Sequence, residues 1–213
     1  MTTSSRNKRR TRPLKVETFD LEAFNLHLSI EKSMAKRNYL IEGGSGTGKS
    51  AVWEELQKRG YKAINGDREL AYKGDPQTGE RIEATGFEYH IWDVDKVKQI
   101  IANKDDEVAF FCGGSRNFHK FIDLFDKIFV LDVDTETLRK RLESREADDW
   151  GGNDKQKEFI LRLHAANDTI PKGITINTAR PLNEVVDAIV GCIEVWIIDN
   201  RSLLSSTVAR YDA

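Results

Sequence analysis

Short apolar runs of strand length recur along the chain between segments with a helical pattern. Five of these runs predict strands, at 39–41, 62–65, 108–112, 127–132 and 173–177. The run at 108–112 is apolar at every position, which is typical of a strand that is covered on both faces. Strands that alternate with helices form parallel sheets with right-handed crossovers. The pattern therefore predicts an α/β fold with a mostly parallel five-stranded sheet, helices on both faces and a small LID.

Apolar positions at helical spacing fill most of the segments between these strands. The predicted helices span 19–37, 51–59, 93–103, 134–145, about 154–167 and 182–198, with a short helix through 118–125. Between 72 and 92 the pattern breaks, because turn residues are followed by the aromatic residues Phe87, Tyr89 and Trp92. Loops of this length are often functional. The aromatic group either stacks on a substrate ring or forms the hydrophobic floor of the loop.

The amino-acid composition narrows the classes of protein to which the chain can belong. The chain has 213 residues, 39% of them hydrophobic and 32% charged, so one α/β domain is the first expectation. No apolar run approaches the roughly 18 residues of a membrane span, and no membrane association is expected. Cys112 and Cys192 lack metal-ligand spacing, which argues against a zinc site or a disulfide scaffold and favours a cytoplasmic location.

The net charge of −2 hides a basic N-terminal segment. Residues 1–15 carry six basic side chains and no acidic one, so the remaining 198 residues sum to −8. Nucleic acid is therefore not an expected partner except through this segment. We expect a flexible basic leader over 1–18, with a targeting segment as the alternative. The predicted domain spans 19–198, and 199–213 form a C-terminal tail.

A glycine-rich octet follows the first predicted strand. Residues 43–50 match the pattern G-x-x-x-x-G-K-[ST] with Gly43, Gly44, Ser45, Gly46, Thr47, Gly48, Lys49 and Ser50. Such a loop between a strand and a helix points its N–H groups and the helix N-terminus at phosphate. Lys49 can reach the β- and γ-phosphates, and the Ser50 hydroxyl can join a Mg²⁺ shell. The octet predicts ATP and Mg²⁺ as cofactors; the alternative is a glycine turn that binds nothing.

Other polar residues are predicted to lie near this loop, because ligands bind at the C-terminal ends of parallel strands. Asp67 follows the second strand, where it can hold Mg²⁺ through water or take a proton from an acceptor hydroxyl; alternatively it caps a helix at Arg68. Arg116, after Gly113 and Gly114, carries a guanidinium group that can donate two hydrogen bonds to a phosphate or a carboxylate. The alternative is that residues 113–117 only lead into the next helix.

Arg141 and Arg145 share a helical face because they lie four residues apart. They can close on a triphosphate at the mouth of a mobile loop, or they form a solvated basic face. The strand at 108–112 lacks the aspartate of a Walker B motif. Asp132 resembles one, whereas Asp134 is expected to cap the next helix. The Asn-Lys-x-Asp pattern at 103–106 precedes a strand and is discounted as a guanine-reading motif.

These motifs resemble those of the P-loop small-molecule kinases, the group that contains adenylate kinase and shikimate kinase. The resemblance covers about residues 38–195. Residues 43–50 are similar to the phosphate loop of that group, and 131–145 to the run into its LID, here placed at about 146–158. Residues 176–182 resemble the loop that borders adenine, which implies a nucleotide contact for Arg180 and Pro181. Asp67, Gly113 and Gly114 stand where shikimate kinase-like members hold the acceptor.

One family signature is missing. The Asp-Gly-x-Pro-Arg motif of nucleoside monophosphate kinases is replaced by residues 112–116, so a nucleoside monophosphate acceptor is not implied. The aromatic loop 72–92 has no counterpart in the resemblance.

The sequence predicts an ATP- and Mg²⁺-dependent kinase that moves the γ-phosphoryl group to a small hydroxyl-bearing acceptor. The expected catalytic residues are Lys49, Asp67, Arg116, Arg141 and Arg145, with Ser50 and Asp67 at the metal. Two alternatives stay open. One is a nucleoside or nucleotide kinase, and the other is a nucleotide-binding regulatory ATPase without a small-molecule acceptor.

Overall fold

Alternating strands and helices make up the computed structural model, which describes residues 37–103, 106–166 and 169–193. In chain order the elements are β1 (Arg37–Gly43), α1 (Lys49–Lys58), β2 (Lys62–Asn65), α2 (Gly66–Glu69), β3 (Ala71–Lys73), β4 (His90–Trp92), α3 (Val94–Ala102), β5 (Val108–Cys112), β6 (Lys127–Asp132), α4 (Thr135–Glu143), α5 (Asp154–Ala166), β7 (Ile174–Asn177) and α6 (182–193). Short 3₁₀ turns lie at Phe87–Tyr89, Phe118–Lys120 and Ile122–Leu124.

The main sheet has five strands in the order β2-β5-β1-β6-β7. All four neighbouring pairs are parallel, so the predicted sheet is confirmed. β1 lies in the middle, and all seven of its residues are buried. The carboxyl ends of these strands therefore form one rim, with the glycine-rich loop at its centre.

Each face of the sheet is covered by its own hydrophobic cluster, because alternate strand residues point to opposite faces. Tyr39 and Ile41 of β1 pack with α1 and α6 on one face. Leu40 of β1 packs with α3 and the 3₁₀ turns on the other face. A smaller cluster joins α4 to α5. The predicted three-layer arrangement is thus confirmed.

The segment 72–92 was wrongly predicted to be irregular throughout. β3 and β4 pair antiparallel within it and form a two-stranded sheet of their own. Each strand is only three residues long, and many residues separate the two, so neither shows a period in the sequence.

Several helix boundaries differ from the predicted ones. Arg37, predicted to end a helix, is the first residue of β1. α1 begins at Lys49, two residues earlier than expected, and the single helix expected through 118–125 is two 3₁₀ turns. Residues 146–153 form the loop expected for the LID, whereas 154–158 already belong to α5.

Some predictions fall outside the described residues. They are the basic leader 1–18, the helix over 19–36, the end of the last helix beyond 193, and the tail 199–213. Within the described ranges, none of the helices combines the length and apolar character that crossing a bilayer requires.

Candidate active site

The loop 43–50 has the geometry of an anion cradle between β1 and α1. Gly46 and Gly48 have φ values of +88° and +102°, which L side chains rarely adopt. A Cβ atom on Gly46 would also lie 2.6 Å from Leu138 Cδ1. The Thr47 hydroxyl donates to the Gly44 carbonyl oxygen at 2.8 Å and braces the turn. No side chain caps the start of α1, so its first amide groups stay available to an anion.

Lys49 lies inside this cradle. Its Nζ donates to the carbonyl oxygens of Gly43 at 2.6 Å and Gly44 at 3.0 Å. Burial lowers the pKa of Lys49, against the opposing effect of the carboxylates of Asp67 and Glu42. The ammonium group is thus preorganised beside the loop, and the neighbouring Ser50 is exposed.

Asp67 lies on α2, immediately after β2. Its Oδ1 accepts a hydrogen bond from the Gly114 N–H at 3.0 Å and lies 3.2 Å from His90 Nε2. Burial alone would raise the pKa of Asp67, but the His90 hydrogen bond, the charge of Lys49 and the Gly114 N–H outweigh it and hold the pKa below its usual range. The alternative role as a helix cap is wrong, because Asn65 Oδ1 accepts from the Arg68 N–H at 3.2 Å.

Gly113 permits this contact between Asp67 and the end of β5. A Cβ atom on Gly113 would lie 2.8 Å from Asp67 Oδ1 and 2.7 Å from Trp92 Cζ2. The segment 113–117 is therefore more than the simple helix lead-in considered from the sequence. It supplies a backbone N–H to the carboxylate expected at the reaction centre.

Arg116 connects three parts of the site. Its Nη1 donates to the Thr169 carbonyl oxygen at 2.9 Å, and its Nη2 lies 3.6 Å from Glu42 Oε1. Its guanidinium carbon lies 4.4 Å from the centre of the Phe87 ring. Contact of Arg116 with a phosphate or carboxylate stays a prediction.

Glu42 is a site residue that the sequence reasoning missed. It is 1% exposed, and neither carboxylate oxygen has a hydrogen-bond partner among the described residues. Burial raises the pKa of Glu42 to about 8, although the charges of Arg116 and Lys49 act in the opposite direction. The signal was available, since an acidic residue stands near the end of a buried strand, directly before the glycine-rich loop.

His90 was also missed, because it lies in the segment 72–92, where the sequence pattern predicted no strand. Its contact with Asp67 depends on the β3–β4 pairing, which brings His90 to the end of β2. No local pattern in the sequence indicated that contact.

Arg141 and Arg145 both reach the loop from α4. Arg141 Nη1 donates to the Gly46 carbonyl oxygen at 3.2 Å and to Thr178 Oγ1 at 3.1 Å. Arg145 Nη1 contacts Ser45 Oγ at 3.4 Å and also donates to the Trp150 carbonyl oxygen. The alternative of a solvated basic face is therefore wrong for both. Closure of either side chain over a transition state stays a prediction.

The described residues form three cavities that lie around the loop. One of about 420 Å³ lies between the loop, the β3–β4 sheet and α5, and Lys49, Asp67 and Gly114 line it. One of about 470 Å³ runs along Lys49, Ser50, Arg141 and Arg145. The third, about 330 Å³, lies between α1 and the start of α6 and includes Thr178 and Arg180. Pro181 stands at the start of α6, where its carbonyl oxygen accepts from the Val185 N–H at 3.1 Å.

This set of residues fits Mg²⁺ better than a metal held by protein ligands alone. Among the described residues, no three His, Cys, Asp or Glu side chains gather closely enough to hold a metal ion. Mg²⁺ in phosphate sites usually keeps water and takes one or two protein ligands. Ser50 and Asp67 both line the 470 Å³ cavity and are the candidates for such ligands.

The comparison with protein families gives one match within this region. A family model described as an AAA domain matches residues 40–161, from β1 into α5. No curated protein sequence matches the chain.

Several solved structures resemble the chain at low sequence identity. A sugar kinase from a Janibacter species is 13% identical with a TM-score of 0.50, and the match covers 75% of this chain and 95% of that one. A gluconokinase from Sinorhizobium meliloti is 17% identical, with coverages of 83% and 98% and a TM-score of 0.47. A shikimate kinase from Bacteroides thetaiotaomicron is 13% identical, with coverages of 74% and 98% and a TM-score of 0.48. The likeness to the sugar kinase concerns the fold alone.

Proposed function

Because the chain belongs to the AAA domain family and shares its fold with a sugar kinase, we propose that it is an ATP- and Mg²⁺-dependent kinase. It transfers the γ-phosphoryl group to a small hydroxyl-bearing acceptor. We also propose a cytoplasmic location, because Cys112 and Cys192 are both free thiols.

One observation carries the proposal: Lys49 and Asp67 line the same 420 Å³ cavity, which opens on the glycine-rich loop. A lysine placed for phosphate and a carboxylate placed for a hydroxyl are the two groups that phosphoryl transfer to an alcohol requires. A nucleotide-binding loop without an acceptor does not need a cavity of this size beside it.

The loop amides and Lys49 hold the β- and γ-phosphates in this account. The Ser50 hydroxyl and, through water, Asp67 would hold Mg²⁺, which would neutralise phosphate charge. The 330 Å³ cavity receives the nucleotide ring, next to Arg180 and to the Arg141 contact with Thr178.

In the transfer step, the acceptor oxygen attacks the γ-phosphorus as the bond to the β,γ-bridging oxygen breaks. ADP leaves, and the hydroxyl proton passes to Asp67 or to water. Because its pKa is depressed, Asp67 is a weak base that acts first by orienting the hydroxyl. That role suits a loose transition state, which calls for little early proton transfer. Arg116 positions the acceptor, and Arg141 and Arg145 neutralise charge on the transferred group.

A panel assay tests the proposal. ADP release is measured with hydroxyl-bearing metabolites and nucleosides, for the wild-type protein and for Lys49→Ala. We expect acceptor-dependent release that Lys49→Ala abolishes without a change in the melting temperature. Lys58→Ala, on the exposed last turn of α1, is the matched control and should keep full activity. Nucleotide binding without acceptor-dependent release would favour the regulatory ATPase instead.

A further inference from the structure

The 420 Å³ cavity has a mixed lining. Lys49, Asp67 and His90 supply polar groups, and Phe87, Trp150, Ile160, Leu163 and Ile170 supply an apolar surface. The remaining polar side chains of the lining are those of Ser45, Lys73, Thr85, Arg116, His164 and Thr169. A ligand that fills this space needs a polar group for Asp67 and an apolar face for the carbon atoms of the lining.

The apolar part of the lining includes an aromatic wall whose rings support one another. The Phe87 ring meets Phe159 edge-on at 5.8 Å, and Phe159 meets Trp150 at 6.4 Å. The guanidinium of Arg116 lies against the Phe87 ring at 4.4 Å. Because these rings support one another, Phe87 can present a fixed surface to a flat ligand.

The two cations nearest this wall have protein partners. Lys73 Nζ donates to the Gly86 carbonyl oxygen at 2.8 Å. Arg116 donates to the Thr169 carbonyl oxygen at 2.9 Å, and its side chain is only 13% exposed. Each of these cations therefore already has a protein carbonyl oxygen as a partner.

We infer that the acceptor is an alcohol with a flat, largely apolar or aromatic ring, whose hydroxyl lies at Asp67 and whose ring lies on Phe87. This inference rests on the proposed function, since it names the acceptor of the same site. An acceptor without an apolar face would place polar groups against the carbon atoms around Phe87, where each unsatisfied one costs free energy.

Two kinds of molecule share this chemistry: nucleosides and alcohols that carry a carbocyclic aromatic ring. Calorimetry on the full chain in the presence of ADP and Mg²⁺ distinguishes them. The probes are adenosine and uridine, 2-phenylethanol, and, as contrasting ligands, glucose, gluconate and shikimate. We expect saturable binding of a ring-bearing alcohol and at least tenfold weaker binding of the contrasting ligands. Preference for the nucleosides over 2-phenylethanol identifies a heterocyclic base as the ring.

A pair of variants locates the bound ring. Phe87→Ala should weaken binding of the ring-bearing alcohol by about tenfold and leave ATP affinity unchanged, because one stacking partner is lost. Tyr61→Ala is the matched control: Tyr61 packs edge-on against Phe110 on the α1 face, away from the cavity, and its loss should change neither affinity.

Each result separates this inference from the proposed function. Binding of a ring-bearing alcohol without its phosphorylation would refute the kinase activity and keep the ligand class. Tighter binding of gluconate, shikimate or glucose than of every ring-bearing alcohol would overturn the ligand class, whether or not ADP is released. So would the absence of binding by all ring-bearing alcohols, or equal affinities in wild type and Phe87→Ala. The wild-type panel decides the question even if Phe87→Ala does not fold.

Discussion

Asp67 is the residue on which the proposed chemistry of the site depends. It is held by the Gly114 N–H at 3.0 Å and by His90 at 3.2 Å, and Lys49 adds an attractive charge. Together these contacts outweigh burial and keep the carboxylate ionised. Asp67 is therefore both oriented and charged before any acceptor enters.

Replacement of Asp67 by Asn keeps an oxygen for the Gly114 N–H and removes the charge. We expect kcat for the acceptor to fall by about 10²-fold or more, since positioned acid–base groups contribute at least that much. Steady-state kinetics measure this loss. Asp123→Asn, an exposed change outside the site, is the control. Full kcat in Asp67→Asn would contradict the role of Asp67.

The pH dependence of the wild-type protein follows from the same carboxyl group. Its pKa is depressed in the folded state, so its contribution to stability is present above the unfolded pKa and is lost as pH falls through the lower folded value. The catalytically competent ionised form persists over the same range. The rate should therefore show no acidic loss attributable to Asp67 between neutral pH and the ordinary carboxyl range.

At the scale of elements, the β3–β4 sheet is tied to the end of β5 by buried polar side chains. The Trp92 N–H donates to Asn117 Oδ1 at 3.0 Å, and Asn117 Nδ2 donates to the Trp92 carbonyl oxygen at 2.9 Å. The side-chain amide of Asn117 thus makes the two backbone hydrogen bonds with Trp92 that a neighbouring strand would otherwise make. The Arg116 N–H also donates to the His90 carbonyl oxygen at 2.9 Å. These bonds fix His90 beside Asp67.

The contact of α2 with β4 leaves no room for a side chain at Gly66. A Cβ atom there would lie 2.0 Å from Trp92 Cζ2, and Trp92 is itself stacked on Phe121 at 5.5 Å. Gly66→Ala should therefore lower the free energy of unfolding by about 1–3 kcal/mol, the usual cost of overpacking. Chemical denaturation measures the change.

Gly191→Ala is the matched control for this experiment. Gly191 lies in α6 with no atom within 4 Å of a Cβ, so alanine should be neutral or should stabilise the helix. A Gly66→Ala protein as stable as Gly191→Ala would show that α2 and β4 do not pack as described.

Elements with strong local signals could be predicted from the sequence, and those fixed by distant contacts could not. The apolar run of β5 and the glycine-rich loop were found because neighbouring residues carry the pattern. The sequence left a helix cap open as the alternative role of Asp67, because both Asn65 and Asp67 are capping residues and only the fold shows that Asn65 caps the helix and that Gly114 engages the aspartate. The environment of Glu42 depends on its burial in the sheet and on Arg116, which lies far along the chain, so no local pattern shows it.

In the molecule as a whole, the parallel sheet places three cavities along one rim. β1 is central, so the loop that follows it lies between the 420 Å³ cavity on one side and the 330 Å³ cavity on the other. The 470 Å³ cavity runs along the loop itself. In the proposed function, the 420 Å³ cavity receives the acceptor, the 470 Å³ cavity the triphosphate and the 330 Å³ cavity the nucleotide ring. The site is thus a property of the sheet order, and each named side chain reaches it from a different element.

Titration of ATP into the protein by calorimetry, with and without Mg²⁺, tests this account most directly. The account predicts one saturable site per chain, tighter with Mg²⁺, because the loop amides, Lys49 and Ser50 all act on the phosphates. Lys49→Ala should weaken that binding, whereas Lys58→Ala should not. An absence of heat with MgATP, or equal affinity in Lys49→Ala and wild type, would contradict it.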